Sequence, residues 1–341
     1  MRTAQYTGDH QVVAATADPV APQAGEVQIR VAYTGLCGTD LHIVHGNMDA
    51  RVQQPLVFGH EMSGVVAAVG EGVTSVQSGD PVTVMPLEWD GTCPACRAGN
   101  QHVCQNLDFV GIDSPGSLQE LWTVPERIVV PAPTGTDLKH LALVEPVAVA
   151  VHDVRRSGAG TGDRVLVIGS GPIGLLIATV ARHRGAEVRV SEIDPTRRQQ
   201  ATDLGFDTID PSAGDPVEAV ETWTDGAGAD IVFEVSGAAA AVLSATGFLK
   251  VRGTLVVVAI HPTPRPIDLQ RLFWRELTIL GARVYERQDF DDAVRLVTDG
   301  AIPADTLITD VVPLEQTGAA FTTLEAGLAM KVLVDVSGDA L

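Results

Sequence analysis

Residues 164–192 read RVLVIGSGPIGLLIATVARHRGAEVRVSE: a short apolar run, a glycine-rich turn, an apolar helical stretch, then a second apolar run ending in an acid. That order predicts a parallel strand–helix–strand unit, with the helix carrying the chain back before the second strand pairs. The turn Gly169-Ser170-Gly171-Pro172-Ile173-Gly174 fits G-x-G-x-x-G, a pattern that 34 glycines also produce by chance. Its position between a strand and a helix gives it weight, because backbone N–H groups and the positive helix end then face a pyrophosphate. Glu192, 18 residues beyond Gly174, stands where an acid accepts hydrogen bonds from a ribose diol. Its charge repels a 2′-phosphate and favours NAD over NADP, while Arg197, a further candidate cofactor contact, and Arg198 pull the other way. The alternative is a glycine turn that binds nothing.

The rest of the chain divides by pattern. From Gln11 to about Pro133, short apolar runs are broken by Gly, Pro or Asp every ten residues or so, which predicts an irregular β-rich domain. After about Leu141, strands alternate with helices, and Val/Ile/Leu runs without strict alternation suit a doubly wound parallel sheet covered on both faces. The fold class is therefore α/β with a second, β-rich domain. Boundaries are expected at 1–145, 146–288 and 289–341. Pattern alone leaves two places for the last segment, extending the sheet or returning to the first domain, and we expect the return.

Composition narrows the partners. With 23 basic against 43 acidic residues the net charge is −20, and no Lys/Arg cluster forms a phosphate-tracking stripe, so nucleic acid is not expected. Val165–Ala181 is uncharged for 17 residues, but it is short for a span and interrupted by Gly169, Gly171, Pro172 and Gly174, so no membrane segment is expected. The first residues, MRTAQYTGDHQ, lack a signal-peptide core, which argues for an intracellular, cytoplasmic protein. In a reducing compartment the C-x2-C-x7-C spacing of Cys93, Cys96 and Cys104 points to a metal rather than disulfides.

Three separated pieces carry further metal-ligand chemistry: Cys37 in CGTDLH, His60 in GHE and Glu145 in VEP. A thiolate, an imidazole and a carboxylate make an open zinc site with one position left for substrate, and an alcohol activated there beside a nicotinamide can expel hydride. Each residue taken singly reads as well as a buried thiol, a core histidine or a loop acid.

CGTDLH, FGHEMSGVVAAVGEGV, the cysteine lobe, LVEPVAVAVHDVRRSG and VLVIGSGPIGLL stand in an order and at a spacing that resemble the zinc-dependent medium-chain dehydrogenase/reductase family over nearly the whole chain. The GHE and EPVAVAVH forms are most similar to its polyol group of sorbitol, 2,3-butanediol and threonine dehydrogenases. The resemblance implies a GroES-like catalytic domain beside the Rossmann domain, and Zn2+ held by Cys37 and His60 with Glu61 or Glu145 as third ligand. It implies a proton relay through Thr39 and His42, with Asp40 orienting His60. Ile43, Phe109 and Tyr285 become candidate pocket walls.

The family's lobe has four cysteines, and the position of the missing one falls on Asp90, giving a structural zinc site of Asp90, Cys93, Cys96 and Cys104; otherwise Asp90 is a loop residue and the site is degenerate. The implied reaction is oxidation of a secondary alcohol, a polyol or vicinal diol before threonine, by a homodimer or homotetramer. The competing readings are a zinc-free reductase, which lacks these ligands, and a non-catalytic NAD- and zinc-binding protein, which needs no relay.

Overall fold

The computed structural model describes residues 1–327 and 329–338. It divides into two compact units, Met1–Pro146 with Glu286–Leu341, and Val147–Tyr285. Of the segment 289–341, residue 328 and residues 339–341 lie outside the described residues.

The first unit is organised around the strand Glu26–Gly35, which pairs antiparallel with Glu61–Val69, Leu121–Pro125 and Lys331–Asp335. Ile308–Pro313 runs parallel to Lys331–Asp335, so the C-terminal segment adds two strands to this sheet. The register decides what meets across it: Gly35 stands opposite Glu61 on one side and Leu333 on the other. A Cβ at Gly35 would collide with the Glu61 carboxylate. The absent side chain thus lets two flanking strands bring side chains together over the central one.

The second unit is a six-stranded sheet, parallel throughout, in the order Asp207–Ile209, Glu187–Ser191, Arg164–Ile168, Ala229–Glu234, Leu249–Val257, Thr278–Gly281. Strand order reverses beside Arg164–Ile168, the crevice where open α/β sheets bind ligands. The uncharged run Val165–Ala181 becomes buried strand, turn and the helix Pro172–His183, buried at every position from Gly174 to Ala181. No helix among the described residues is long and apolar enough to cross a membrane.

Candidate active site

The short helix Gly38–Val44 begins at Cys37, whose sulfur accepts from Thr39 N at 3.5 Å, while Asp40 reaches back to accept from Cys37 N at 2.9 Å. Asp40 is fully buried, and its other oxygen lies 3.5 Å from His60 Nδ1. One acid therefore bonds to the helix start with one oxygen and lies beside the imidazole with the other, leaving Nε2 of His60 for another partner. Donor atoms of Cys37, His60 and Glu61 lie within 4.8 Å of one another, with His60 and Glu61 buried. Glu145, in the first turn of the helix Val144–Ser157, is buried but outside that 4.8 Å group. Thr39 Oγ1 stands 3.8 Å from the Cys37 sulfur, and His42, on the same helix, is exposed, with Nδ1 3.5 Å from Asn47 Nδ2.

Of the candidate wall residues, Ile43 and Tyr285 are fully buried. Phe109 sets its ring edge-on to the His60 imidazole, with centroids 5.3 Å apart.

Sequence reasoning missed Lys331. It heads the last strand, is 4% exposed, and donates from Nζ to Glu61 Oε2 at 2.6 Å and to Leu36 O at 3.2 Å. The available signal was a charged residue opening KVLVD, a run buried at its first four positions. Burial opposes the Lys331 charge, but Glu61 and Cys37 hold its pKa above the ordinary value. Burial likewise disfavours the imidazolium, yet Asp40, Cys37 and Glu145 outweigh it and push His60 up to about 10. Burial pushes Asp40 up to about 6, against the pull of His60. Crowded anions thus draw positive charge into a buried spot, and with sulfur, nitrogen and oxygen donors converging there the residues fit a zinc ion.

In the lobe, donor atoms of Asp90, Cys93, Cys96 and Cys104 also lie within 4.8 Å of one another. Backbone N–H groups point at the sulfurs: Cys96 N and Gln105 N at Cys93, Asp90 N and Asn106 N at Cys104, all 3.3–3.5 Å. Asp90 Oδ1 accepts from Thr92 N and Cys93 N at 2.8 and 2.9 Å, and Oδ2 from Asn106 Nδ2 at 2.6 Å. Those bonds hold its carboxyl well below the usual range and leave Oδ2 with lone-pair capacity for a metal.

In the second unit, Gly169 has φ +103°, and a Cβ there would press on Ser236. A Cβ at Gly174 would strike Gly169 O, whereas one at Gly171 meets nothing. The turn is thus closed beneath and open above, where backbone can approach a diphosphate; Pro172 and Ile173 begin the helix, which has no side-chain cap. Glu192 accepts four hydrogen bonds: Ser170 N and Oγ on one oxygen, Ile193 N and Asp194 N on the other, at 2.8–3.1 Å. Arg198 is committed to Glu192 O, Ile193 O and Asp210, and Arg197 lies half-buried in the first turn of the following helix, Pro195–Asp203. These residues fit a dinucleotide.

Family models match in the same order: an alcohol dehydrogenase GroES-like domain over residues 23–134 and a zinc-binding dehydrogenase over 172–299. A 2-dehydro-3-deoxy-L-galactonate 5-dehydrogenase of Pseudoalteromonas atlantica is 49% identical, covering 99% of this chain and 100% of its own. A sorbitol dehydrogenase of Halalkalibacterium halodurans is 32% identical, with 98% of each chain covered. Among solved structures, a zinc-binding dehydrogenase from Sinorhizobium meliloti bound to NADP superposes with a TM-score of 0.93 at 32% identity, again over 98% of each chain. With relatives aligned from end to end, this chain belongs to the zinc-dependent medium-chain alcohol/polyol dehydrogenases, oxidoreductases that act on CH–OH groups.

Proposed function

We propose that the protein oxidises a secondary hydroxyl of an open-chain polyhydroxy substrate, a sugar acid or sugar alcohol, to the ketone with NAD. The observation that carries this reading is the convergence of Cys37, His60 and Glu61 within 4.8 Å, with Glu61 backed by Lys331. The sugar-acid class rests on the 49% identical relative. When bound, zinc supplies a Lewis acid that makes a substrate hydroxyl acidic, and the nicotinamide accepts the hydride.

The chain's own residues do the rest. Cys37 and His60 would hold the metal, with Glu61 or Glu145 as its third ligand. Thr39 Oγ1 accepts the substrate hydroxyl proton and passes its own toward His42, which is exposed and releases the proton to solvent. Phe109 packs on the His60 ring and gives the site one apolar wall. Glu192 sets the preference for NAD by charge, since its carboxylate is fixed by four bonds and Arg198 is committed elsewhere. The lobe residues Asp90, Cys93, Cys96 and Cys104 would hold a second, structural zinc, and thiolate ligands suit a reducing compartment such as the cytoplasm.

Screening NAD and NADP reduction with sugar acids, sugar alcohols, 2,3-butanediol and primary alcohols tests the reading. We expect turnover with polyhydroxy compounds and at least about tenfold preference for NAD in kcat/KM, the ratio that about 1.4 kcal/mol of repulsion gives. Turnover confined to primary alcohols would sink the substrate class, and preference for NADP would sink the role of Glu192.

The protein is further proposed to be a homo-oligomer joined through the second unit. Thr278–Gly281 pairs with a strand on one side only among the described residues, and Val251, Leu269, Phe273 and Trp274 nearby in sequence are 58–74% exposed. An open edge beside exposed aromatics invites a second copy. Light scattering is expected to give at least about twice the chain mass; Phe273→Glu with Trp274→Glu should lower it, and a wild-type monomer would contradict the proposal.

A further inference from the structure

Arg51 lies on the segment that joins two pieces of the metal site and takes no part in holding the metal. The segment leaves the helix Gly38–Val44, which starts at Cys37 and carries Thr39 and His42, and it runs into the strand Leu56–Val57, just ahead of His60. It is pinned on the way. His10 Nδ1 stands 2.9 Å from Val44 O, Tyr6 Oη donates to Asp49 Oδ1 at 2.9 Å, Arg51 N donates to Met48 O at 2.8 Å, and Val52 is buried. Contacts across space close the circle. Arg51 Nε and Nη2 donate to the two oxygens of Asp113 at 2.5 and 2.6 Å, and the oxygen that takes Nη2 also accepts from Phe109 N at 2.9 Å. The Phe109 ring in turn stands edge-on to the His60 imidazole. Arg51 is therefore tied to the metal site both along the chain and through Asp113 and Phe109.

Hydrogen-bond inventory decides what Arg51 offers. A guanidinium carries five N–H groups, and Nε with one N–H of Nη2 is spent on Asp113. The other edge, Nη1 with the second N–H of Nη2, makes no hydrogen bond among the described residues, and the side chain is 44% exposed. That open edge is the fork that takes a carboxylate by two parallel bonds. Asp113 fixes the plane of the group beforehand, which lowers the entropy lost when a ligand binds. Lys331, the other cation tied to this site, is buried and bonded to Glu61 and Leu36 O, so it has nothing to give a substrate.

Charge and length say what would come. With a net charge of −20 the chain as a whole repels an anion, so an acidic substrate needs a local cation. An open-chain sugar acid oxidised toward the far end of its chain holds its carboxylate several carbons from the reacting hydroxyl. That span is comparable with a phenylalanine side chain, and the Phe109 side chain is what separates His60 from the Asp113–Arg51 pair.

We infer that Arg51, held in plane by Asp113, receives the carboxylate of an open-chain sugar acid on Nη1 and Nη2 and so selects sugar acids over sugar alcohols. The inference rests on the reading that the protein oxidises a secondary hydroxyl of a polyhydroxy substrate, and it chooses between the two classes named there.

The test is kcat/KM for L-galactonate and 2-dehydro-3-deoxy-L-galactonate, which carry the carboxylate, and for galactitol, which has a hydroxymethyl group in its place, at low and high salt. The wild type is expected to prefer an acid, with a KM that rises with salt for the acid and stays level for galactitol. Arg51→Gln is expected to lower the acid-to-galactitol ratio of kcat/KM about ten- to hundredfold, the effect of a lost hydrogen bond to a charged group. The change should fall chiefly in KM, and the salt dependence should go with it. Arg51→Lys, which keeps the charge without the fork, is expected to recover part of the ratio. Equal losses for acid and galactitol in Arg51→Gln would overturn the inference in favour of a role in holding the loop. An unchanged ratio would overturn it too. A wild type that oxidises galactitol but neither acid would overturn this inference and leave the polyhydroxy reading standing. Turnover of none of the three would overturn the inference, and turnover of primary alcohols alone would overturn the polyhydroxy reading as well.

Discussion

Lys331→Met is expected to destabilise the zinc-free protein by about 3–5 kcal/mol, the cost of leaving one partner of a buried ion pair unmatched. Lys331 and Glu61 are 4% and 1% exposed, so water cannot take over from the lost ammonium, and the pair's 2.6 Å contact is the charge-assisted bond that disappears. Methionine keeps much of the lysine stem's volume, so the loss reports charge rather than a cavity. The loss should shrink in zinc-loaded protein, because Glu61 then has a second cation within reach. It should also shrink in the double variant Glu61→Gln with Lys331→Met, where no unpaired charge remains. Urea unfolding of the wild type, Lys331→Met, Glu61→Gln and the double variant, each with and without zinc, measures this. A loss below about 1 kcal/mol in the zinc-free protein, the size of an exposed pair, would show that the contact carries little.

Metal counting is the second large effect. The wild type is expected to hold about two zinc ions per chain, one for each donor cluster. Cys37→Ser should remove one of them and lower kcat/KM by about a thousandfold or more, which corresponds to about 4 kcal/mol of lost transition-state stabilisation. Asp90→Ala should remove the other, lower the melting temperature, and reduce activity much less than Cys37→Ser does. Elemental analysis beside steady-state kinetics reads both. Asp90→Ala protein with full zinc content and an unchanged melting temperature would make Asp90 a loop residue after all.

What the sequence disclosed follows from how far each constraint reaches. The glycine turn and Glu192 are legible because one strand–helix–strand unit contains them, and local spacing fixes their geometry. The lobe cluster is legible because its four candidate donors sit within one loop, although only the folded chain shows Asp90 caught by Thr92, Cys93 and Asn106. Cys37 and His60 were found as separate chemical candidates, with the family resemblance joining them. Lys331 was not found, since its partner lies 270 positions away and no periodicity links the two. Their meeting depends on sheet register around Gly35, which a one-residue slip would undo. The choice between Glu61 and Glu145 stayed open because GHE and VEP both carry acids, and the structure draws Glu61 alone into the 4.8 Å group with Cys37 and His60.

Oxidation of a polyhydroxy substrate by NAD is expected to depend on a zinc ion held by Cys37, His60 and a glutamate. The most direct measurement is the rate of NAD reduction as zinc is stripped by a chelator and then restored, in the wild type and in Cys37→Ser. Wild-type activity should fall with zinc content and return on reloading, while Cys37→Ser stays inactive throughout. Full turnover by zinc-free wild-type protein would contradict it.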